Sequence, residues 1–237
     1  MKFLKAYLRY TRHHYYGMLL VLPLFVFYEI GIWWIYKDSI HKIRNMVDVL
    51  IKFAIQYCGI STFFVVSVLV LLVFLIISRP RKEFLVFHWH YYFIMLAESL
   101  FLSLVFAFFI IKFFYVITCS VTEIEKSWQG LILSLGAGIY EEFLFRVLLF
   151  GGISLVFARL LKFDTFFAGF FAAMLTSSAF SLIHYLGVFG ETFSAYSFLF
   201  RFFGGLFFCL IYQLRGFSVA VYTHAIYDIL IVFCVIK

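Results

Sequence analysis

Apolar runs of about 20 residues recur along this 237-residue chain, and a run of that length crosses a ~30 Å hydrocarbon layer. No water satisfies exposed peptide groups in lipid, so such a segment closes its hydrogen bonds internally as an α-helix. Seven spans are predicted, at 17–36, 59–78, 92–114, 129–150, 165–187, 198–214 and 217–236. Composition agrees. The chain is 65% hydrophobic, only 13% charged, and has a mean hydropathy of +1.06, whereas a soluble domain of this size needs a far more polar exterior. The expected fold is all-α, a polytopic transmembrane helix bundle of about seven to eight spans in a multi-pass integral membrane protein.

Residues 39–57 differ from the spans. Ile40, Ile43, Met46, Val47, Leu50, Ile51 and Ala54 repeat at helical spacing with charges between them, the pattern of a helix lying on the membrane surface. The basic N-terminus (Lys2, Lys5, Arg9, Arg12) precedes an apolar run too long for a signal-peptide core, so the run is expected to be retained as a span. With a cytoplasmic N-terminus, the inner segments hold Lys2, Lys5, Arg9, Arg12, Arg79, Arg81, Lys82, Arg159, Lys162 and Arg215. The outer ones hold Lys37, Lys42, Arg44, Lys52, Lys112, Lys126 and Lys237. This modest bias favours that orientation.

The net charge of +7 is spread over short loops with no basic stripe, so lipid headgroups rather than nucleic acid are the expected partner. Cys58, Cys119, Cys209 and Cys234 lack CxxC spacing and read as apolar packing residues. The chain divides into N-terminal transmembrane helices (1–128) and a second helical part (129–237), together one membrane domain.

Glu29, Glu98, Glu141, Glu142, Arg146, His184, Arg201, His224 and Asp228 lie inside or at the margins of the spans. A charge at a membrane helix centre costs about 2.5–3.5 kcal/mol on insertion scales, so such residues face a protein interior or a wet cavity. Glu142 and Arg146 stand i,i+4 and can pair on one side of their helix, while Glu141 points ~100° away. His224 and Asp228 are again i,i+4. Small residues line the ridges that carry these groups: Gly130, Ser134 and Gly138 before Glu142; Ala168, Ala172 and Thr176 before Phe180 and His184; Gly216 and Ala220 before His224. Small residues let membrane helices approach closely, so these three helices are expected to pack tightly near their polar groups.

Each residue also has a plainer reading. Glu142–Arg146 is a tolerable structural ion pair, and either His184 or His224 alone reads as a hydrogen-bonding helix contact. Glu29 and Glu98 read as structural or interfacial, Arg201 as a snorkelling side chain, and the phenylalanines as lipid-facing. Glu141 is the hardest to explain this way, because it is a second carboxylate with no cation nearby in sequence.

In "EEFLFR", "FSLIH" and "HAIYD" the chain carries EExxxR, FxxxH and HxxxD patterns in order on three separate predicted helices. Over residues 129–236 it resembles the CPBP family of intramembrane endopeptidases, which includes CAAX prenyl endopeptidases and bacteriocin-processing or self-immunity proteins. The resemblance places Glu141, Glu142, Arg146, Phe180, His184, His224 and Asp228 at the family's motif positions. It implies peptide-bond hydrolysis in a water-filled cavity open to the membrane. Two positions depart from the pattern: Val147 stands where many members have Gly, and Asp228 where many have Asn.

An ionised Asp only accepts hydrogen bonds, so Asp228 is expected to orient His224, whose N–H then faces the oxyanion. Glu141, assisted by His184, is expected to activate a water, with Glu142 and Arg146 as a supporting pair. The expected substrate is a membrane-associated protein or peptide, lipidated or anchored, and no cofactor is expected. The alternative within the same reading is a Zn2+ held by Glu141, His184 and His224, although no HExxH is present. A proton-coupled transporter would use similar intramembrane residues, but the chain shows no repeated halves. A non-catalytic immunity protein is the remaining alternative.

Overall fold

The computed structural model describes residues 2–35, 82–114, 128–186 and 190–233, with the single residues 47, 49 and 57. The predicted span at 59–78 lies outside the described residues, as does the surface helix at 39–57 apart from those three positions. Every regular element among the described residues is helical.

The chain starts with α1 (Lys2–Arg12), a helix outside the predicted spans, on which Tyr7 and Thr11 are buried one turn apart. It leads into α2 (His14–Ile35), which contains Pro23. Transmembrane helices tolerate proline because neighbouring groups satisfy the freed carbonyl. A short 3-10 turn (Lys82–Leu85) precedes α3 (Trp89–Phe114). From Trp128 to Arg159 the backbone stays helical, beginning as α4 (Trp128–Gly136) and ending as α5 (Gly151–Arg159). Between them the turns widen to π geometry over Ala137–Glu141 and Phe143–Phe150.

The bundle is completed by α6 (Thr165–Ile183), α7 (Ala195–Arg215) and α8 (Phe217–Phe233). Asp164 caps α6, its carboxylate accepting from the backbone N–H of Phe166 and Phe167 at 2.8 and 3.0 Å. Gly216 turns the chain from α7 into α8 at φ +91°, a conformation open to glycine.

Among the described residues four helices are long and apolar enough to cross a membrane: His14–Trp34, Trp89–Ile110, Thr165–Ile183 and Ala195–Arg215. With the apolar surface they expose, they make this an integral membrane protein. Phe101, Phe108, Phe166, Phe167, Phe170 and Phe203 point outward, as lipid-facing residues do. Helix α8 is shorter, and every residue from Phe217 to Ala225 is buried. It is the central post of the bundle, packed against α2, α3, α4, α7 and the π-helical turns. A mostly apolar helix with no polar outer stripe belongs in such a position.

The π turn crosses α8 backbone against backbone. A Cβ on Gly138 would lie 2.7 Å from the Val221 carbonyl oxygen and 2.9 Å from the Ala225 backbone nitrogen. The small-residue ridge through Gly130, Ser134 and Gly138 is buried along its length, and so is that of α6 through Ala168, Ala172 and Thr176.

Far along the chain from the EExxxR motif, a second polar cluster joins α1, α3 and α7. The Tyr7 hydroxyl donates to Glu98 Oε2 at 2.5 Å, and Arg215 donates to both Glu98 oxygens, Nη2 reaching Oε2 at 2.7 Å. Arg215 Nη2 also reaches Thr11 Oγ1 at 3.3 Å. Burial, and then the adjacent Glu98 carboxylate, push the Tyr7 phenol above its ordinary pKa, so it keeps the proton it donates. Glu98 thus sits in a structural network, and Glu29 accepts from the Tyr140 hydroxyl at 3.0 Å.

The Gly138 crossing is directly testable. Gly138→Ala is expected to cost about 1–3 kcal/mol through overpacking and to lower the melting temperature of the detergent-solubilised protein. Gly152→Ala, where a Cβ meets nothing within 4 Å, should leave it unchanged or slightly raised. Equal melting temperatures for the two variants would contradict this contact.

Candidate active site

Glu142 is fully buried at 0% exposure and Arg146 at 1%. Sequence spacing predicts an α-helical i,i+4 pairing between them. The structure forms the pair within widened π turns, with Arg146 Nε 3.1 Å from Glu142 Oε2. A π turn is a rare insertion into an α-helix that recurs at functional sites. The guanidinium also donates from Nη2 to the Gly205 carbonyl of α7 at 3.4 Å. Two aromatic rings cover it, Phe180 at 4.9 Å and Phe208 at 5.4 Å from Cζ, and their π faces attract a cation in a site shielded from water.

The other oxygen of Glu142, Oε1, takes His224 Nδ1 at 2.7 Å. One carboxylate therefore bridges a guanidinium on its own helix and an imidazole on α8. A nitrogen bonded to a carboxylate carries the proton, so Nδ1–H points at Glu142 and Nε2 is turned the other way. There it meets two carboxylates, Asp228 Oδ2 at 3.6 Å and Glu141 Oε2 at 3.9 Å. The Phe208 ring stacks on the imidazole at 4.6 Å with planes 20° apart. The sequence points to Asp228 as the group that orients His224. The close contact is with Glu142 instead, because the helix crossing brings that carboxylate under Nδ1.

Sequence spans put His184 toward one end of the membrane and His224 toward the other. Helix α6 ends at Ile183 rather than at residue 187, and His184 is its C-cap residue. Its Nδ1 lies 2.9 Å from the Phe180 carbonyl. A nitrogen facing a carbonyl donates, which leaves the His184 Nε2 lone pair to accept.

These groups share a cavity of about 150 Å³, lined by Glu141, His184, His224 and Asp228 with Arg201, Gly204, Tyr227 and the rings of Phe106, Phe180, Phe200 and Phe208. One water needs only about 10–15 Å³, and the wall offers several polar partners. All seven motif residues are thus brought together. Glu141, His184, His224 and Asp228 face the cavity, Phe180 forms part of its wall, and Glu142 and Arg146 lie behind His224.

Arg201 does not snorkel, as its place near the start of a predicted span suggests. It lines this cavity and is held by Ser197 Oγ at 2.6 Å and Glu191 Oε1 at 2.7 Å. Its position one turn before Gly204 and two before Phe208, in "RFFGGLFF", is the available sequence signal. Arg201, Gly204 and Phe208 share one helix face.

For a metal ion the geometry is unfavourable. Among the described residues no three His, Cys, Asp or Glu side chains are placed to hold one. Glu142 takes one ring nitrogen of His224, and Glu141 stands 3.9 Å from the other. Glu141, His184 and His224 as placed do not make the close three-ligand set of a catalytic zinc.

Residues 123–230 match the family model described as "Type II CAAX prenyl endopeptidase Rce1-like". Over this segment, somewhat less than half of the chain, the protein is similar to that family. The Rce1-like domain covers α4 through most of α8 and contains every motif residue of the cavity and its support. The family is one of membrane-embedded proteases. No curated protein and no solved structure matches the chain.

Removing one partner of a buried pair strands the other charge, at about 3–5 kcal/mol. Arg146→Met is therefore expected to destabilise the Rce1-like domain by that amount, seen as a large drop in melting temperature. The double variant Arg146→Met/Glu142→Gln should recover part of the loss. A double variant no more stable than the single one would show that the pair is not the source.

Proposed function

We propose that this protein is an intramembrane endopeptidase that hydrolyses a peptide bond in a membrane-associated protein or peptide. The family description points to a prenylated C-terminal motif as the substrate class. The observation that carries the reading is one cavity of about 150 Å³ lined by two carboxylates and two imidazoles from three helix segments. The N-terminus is assigned to the cytoplasmic side, on the Lys/Arg distribution.

In this mechanism a water in the cavity loses a proton to Glu141, with the His184 Nε2 lone pair as its second acceptor. The resulting hydroxide oxygen attacks the substrate carbonyl carbon. Negative charge develops on the carbonyl oxygen, toward which His224, acting as an imidazolium with a proton on each ring nitrogen, donates from Nε2. Glu142 supports that role by holding Nδ1, and Arg146 balances Glu142. The proton held by Glu141 then passes to the amide nitrogen, the C–N bond breaks, and an acid and an amine leave. Each catalytic group is a side chain of this chain, and the chemistry is metal-free.

Asp228 sits on the Nε2 side of His224, beside the position assigned to the oxyanion. An Asn amide there can donate to that oxygen, whereas an ionised carboxylate cannot.

Purified protein in liposomes, incubated with a library of membrane-anchored and prenylated peptides, tests the assignment. Wild type is expected to cleave, and Glu141→Gln and His184→Ala each to lose about 10²–10⁴-fold in rate. A strong chelator should leave the wild-type rate unchanged. Cleavage surviving Glu141→Gln would remove Glu141 from the base role, and abolition by the chelator would overturn the metal-free mechanism. Asp228→Asn should stay within about fivefold of wild type or exceed it, because the amide supplies a donor. A loss as deep as that of His184→Ala would instead make the carboxylate itself essential.

A further inference from the structure

Beneath the cavity, Glu142 and Arg146 offset one another. On its wall stand two carboxylates, Glu141 and Asp228, and two imidazoles. Arg201 is the one guanidinium or ammonium group among the described residues that line it. A third carboxylate entering such a space meets repulsion from the two already there unless it is received by a cation.

Arg201 is built to receive one. Its side chain is 17% exposed, so little of it reaches open surroundings. Ser197 Oγ fixes Nη1 at 2.6 Å, the Tyr185 hydroxyl stands 3.5 Å away, and the Tyr185 ring lies 5.7 Å from Cζ. Nη2 already holds a carboxylate, that of Glu191, at 2.7 Å. Glu191 is 54% exposed, and its backbone N–H is tied to the His184 carbonyl at 3.0 Å. An exposed partner leaves an ion pair at little cost, while the fork of the guanidinium suits a free carboxylate.

We propose that Arg201 is a specificity-determining residue that receives the C-terminal carboxylate of the substrate, with Glu191 as the internal carboxylate that gives way to it. This rests on the endopeptidase reading and deepens it. A CAAX sequence ends at the chain terminus, and anchoring that terminus on the cavity wall would fix where along the peptide Glu141 acts.

The test uses the full chain in detergent and a fluorescently labelled hydrophobic tripeptide, Val-Leu-Phe, as free acid and as C-terminal amide. Binding is measured by polarisation, so no cleavage is required. Wild type is expected to bind the acid at least tenfold more tightly than the amide. Arg201→Gln should remove that preference with the amide affinity unchanged, which also shows that the variant is folded. Arg201→Lys should keep part of the preference. Glu191→Gln should bind the acid about threefold more tightly than wild type and leave the amide unchanged.

Equal binding of acid and amide by wild type, or a preference that survives Arg201→Gln, would overturn the proposal. A chain that shows the preference but cleaves none of its peptides would sink the endopeptidase reading and leave Arg201 as a carboxylate site. In a cleaving protein the same variant should raise KM for free-acid substrates and leave kcat unchanged.

Discussion

Glu142 is the residue on which the rest of the molecule depends. A carboxylate with no exposure, inside a membrane bundle, is tolerable only if both of its oxygens are matched. One faces Arg146 and the other His224. Because Arg146 also reaches the Gly205 carbonyl, this one group sets the π-helical turns against α7 and α8 together. The close packing at Gly138 and the charge bridge reinforce each other: the backbone approach brings the imidazole within reach, and the bridge holds the helices at that distance.

The polar groups are layered as a consequence. Charges that offset one another lie deepest, the imidazole of His224 lies above them, and the cavity with Glu141 and Asp228 lies above the imidazole. Phe180 and Phe208 serve both lower layers, covering the Arg146 guanidinium and packing on His224. Their rings exclude water from the support while the cavity remains polar, and electrostatic contacts weigh more in such a setting. Neighbouring carboxylates in sequence thereby acquire different surroundings, Glu142 sealed and Glu141 facing the cavity.

The cluster of Tyr7, Glu98, Arg215 and Thr11 applies the same principle elsewhere. It matches a carboxylate of α3 with a guanidinium at the end of α7 and draws α1 onto both. The turn at Gly216 lies against α1, where a Cβ would stand 3.0 Å from the Thr11 carbonyl oxygen. Helix α8, which carries His224 and Asp228, therefore starts from a braced point.

Much of this is legible in the sequence. The helical class and membrane residence follow from apolar length, since lipid leaves a spanning segment no other way to satisfy its backbone. The pairing of Glu142 with Arg146 follows from spacing, and the three motifs mark every carboxylate, imidazole and guanidinium that the structure gathers at the cavity or directly behind it, Arg201 apart. Distances within one helix are set by covalent geometry, so they can be read in one dimension. The partner of His224 cannot be read that way. Asp228, one turn along the same helix, is the local choice, yet Glu142 arrives from another helix and makes the shorter contact. The placement of His184 at the end of a helix shorter than its apolar run, and of Arg201 on the cavity wall, likewise depends on where helices stop and cross. Sequence alone determined which residues are too costly to leave in lipid. Only the tertiary structure decided which of them neutralise each other, because that depends on side chains far apart in the chain meeting across packed helices.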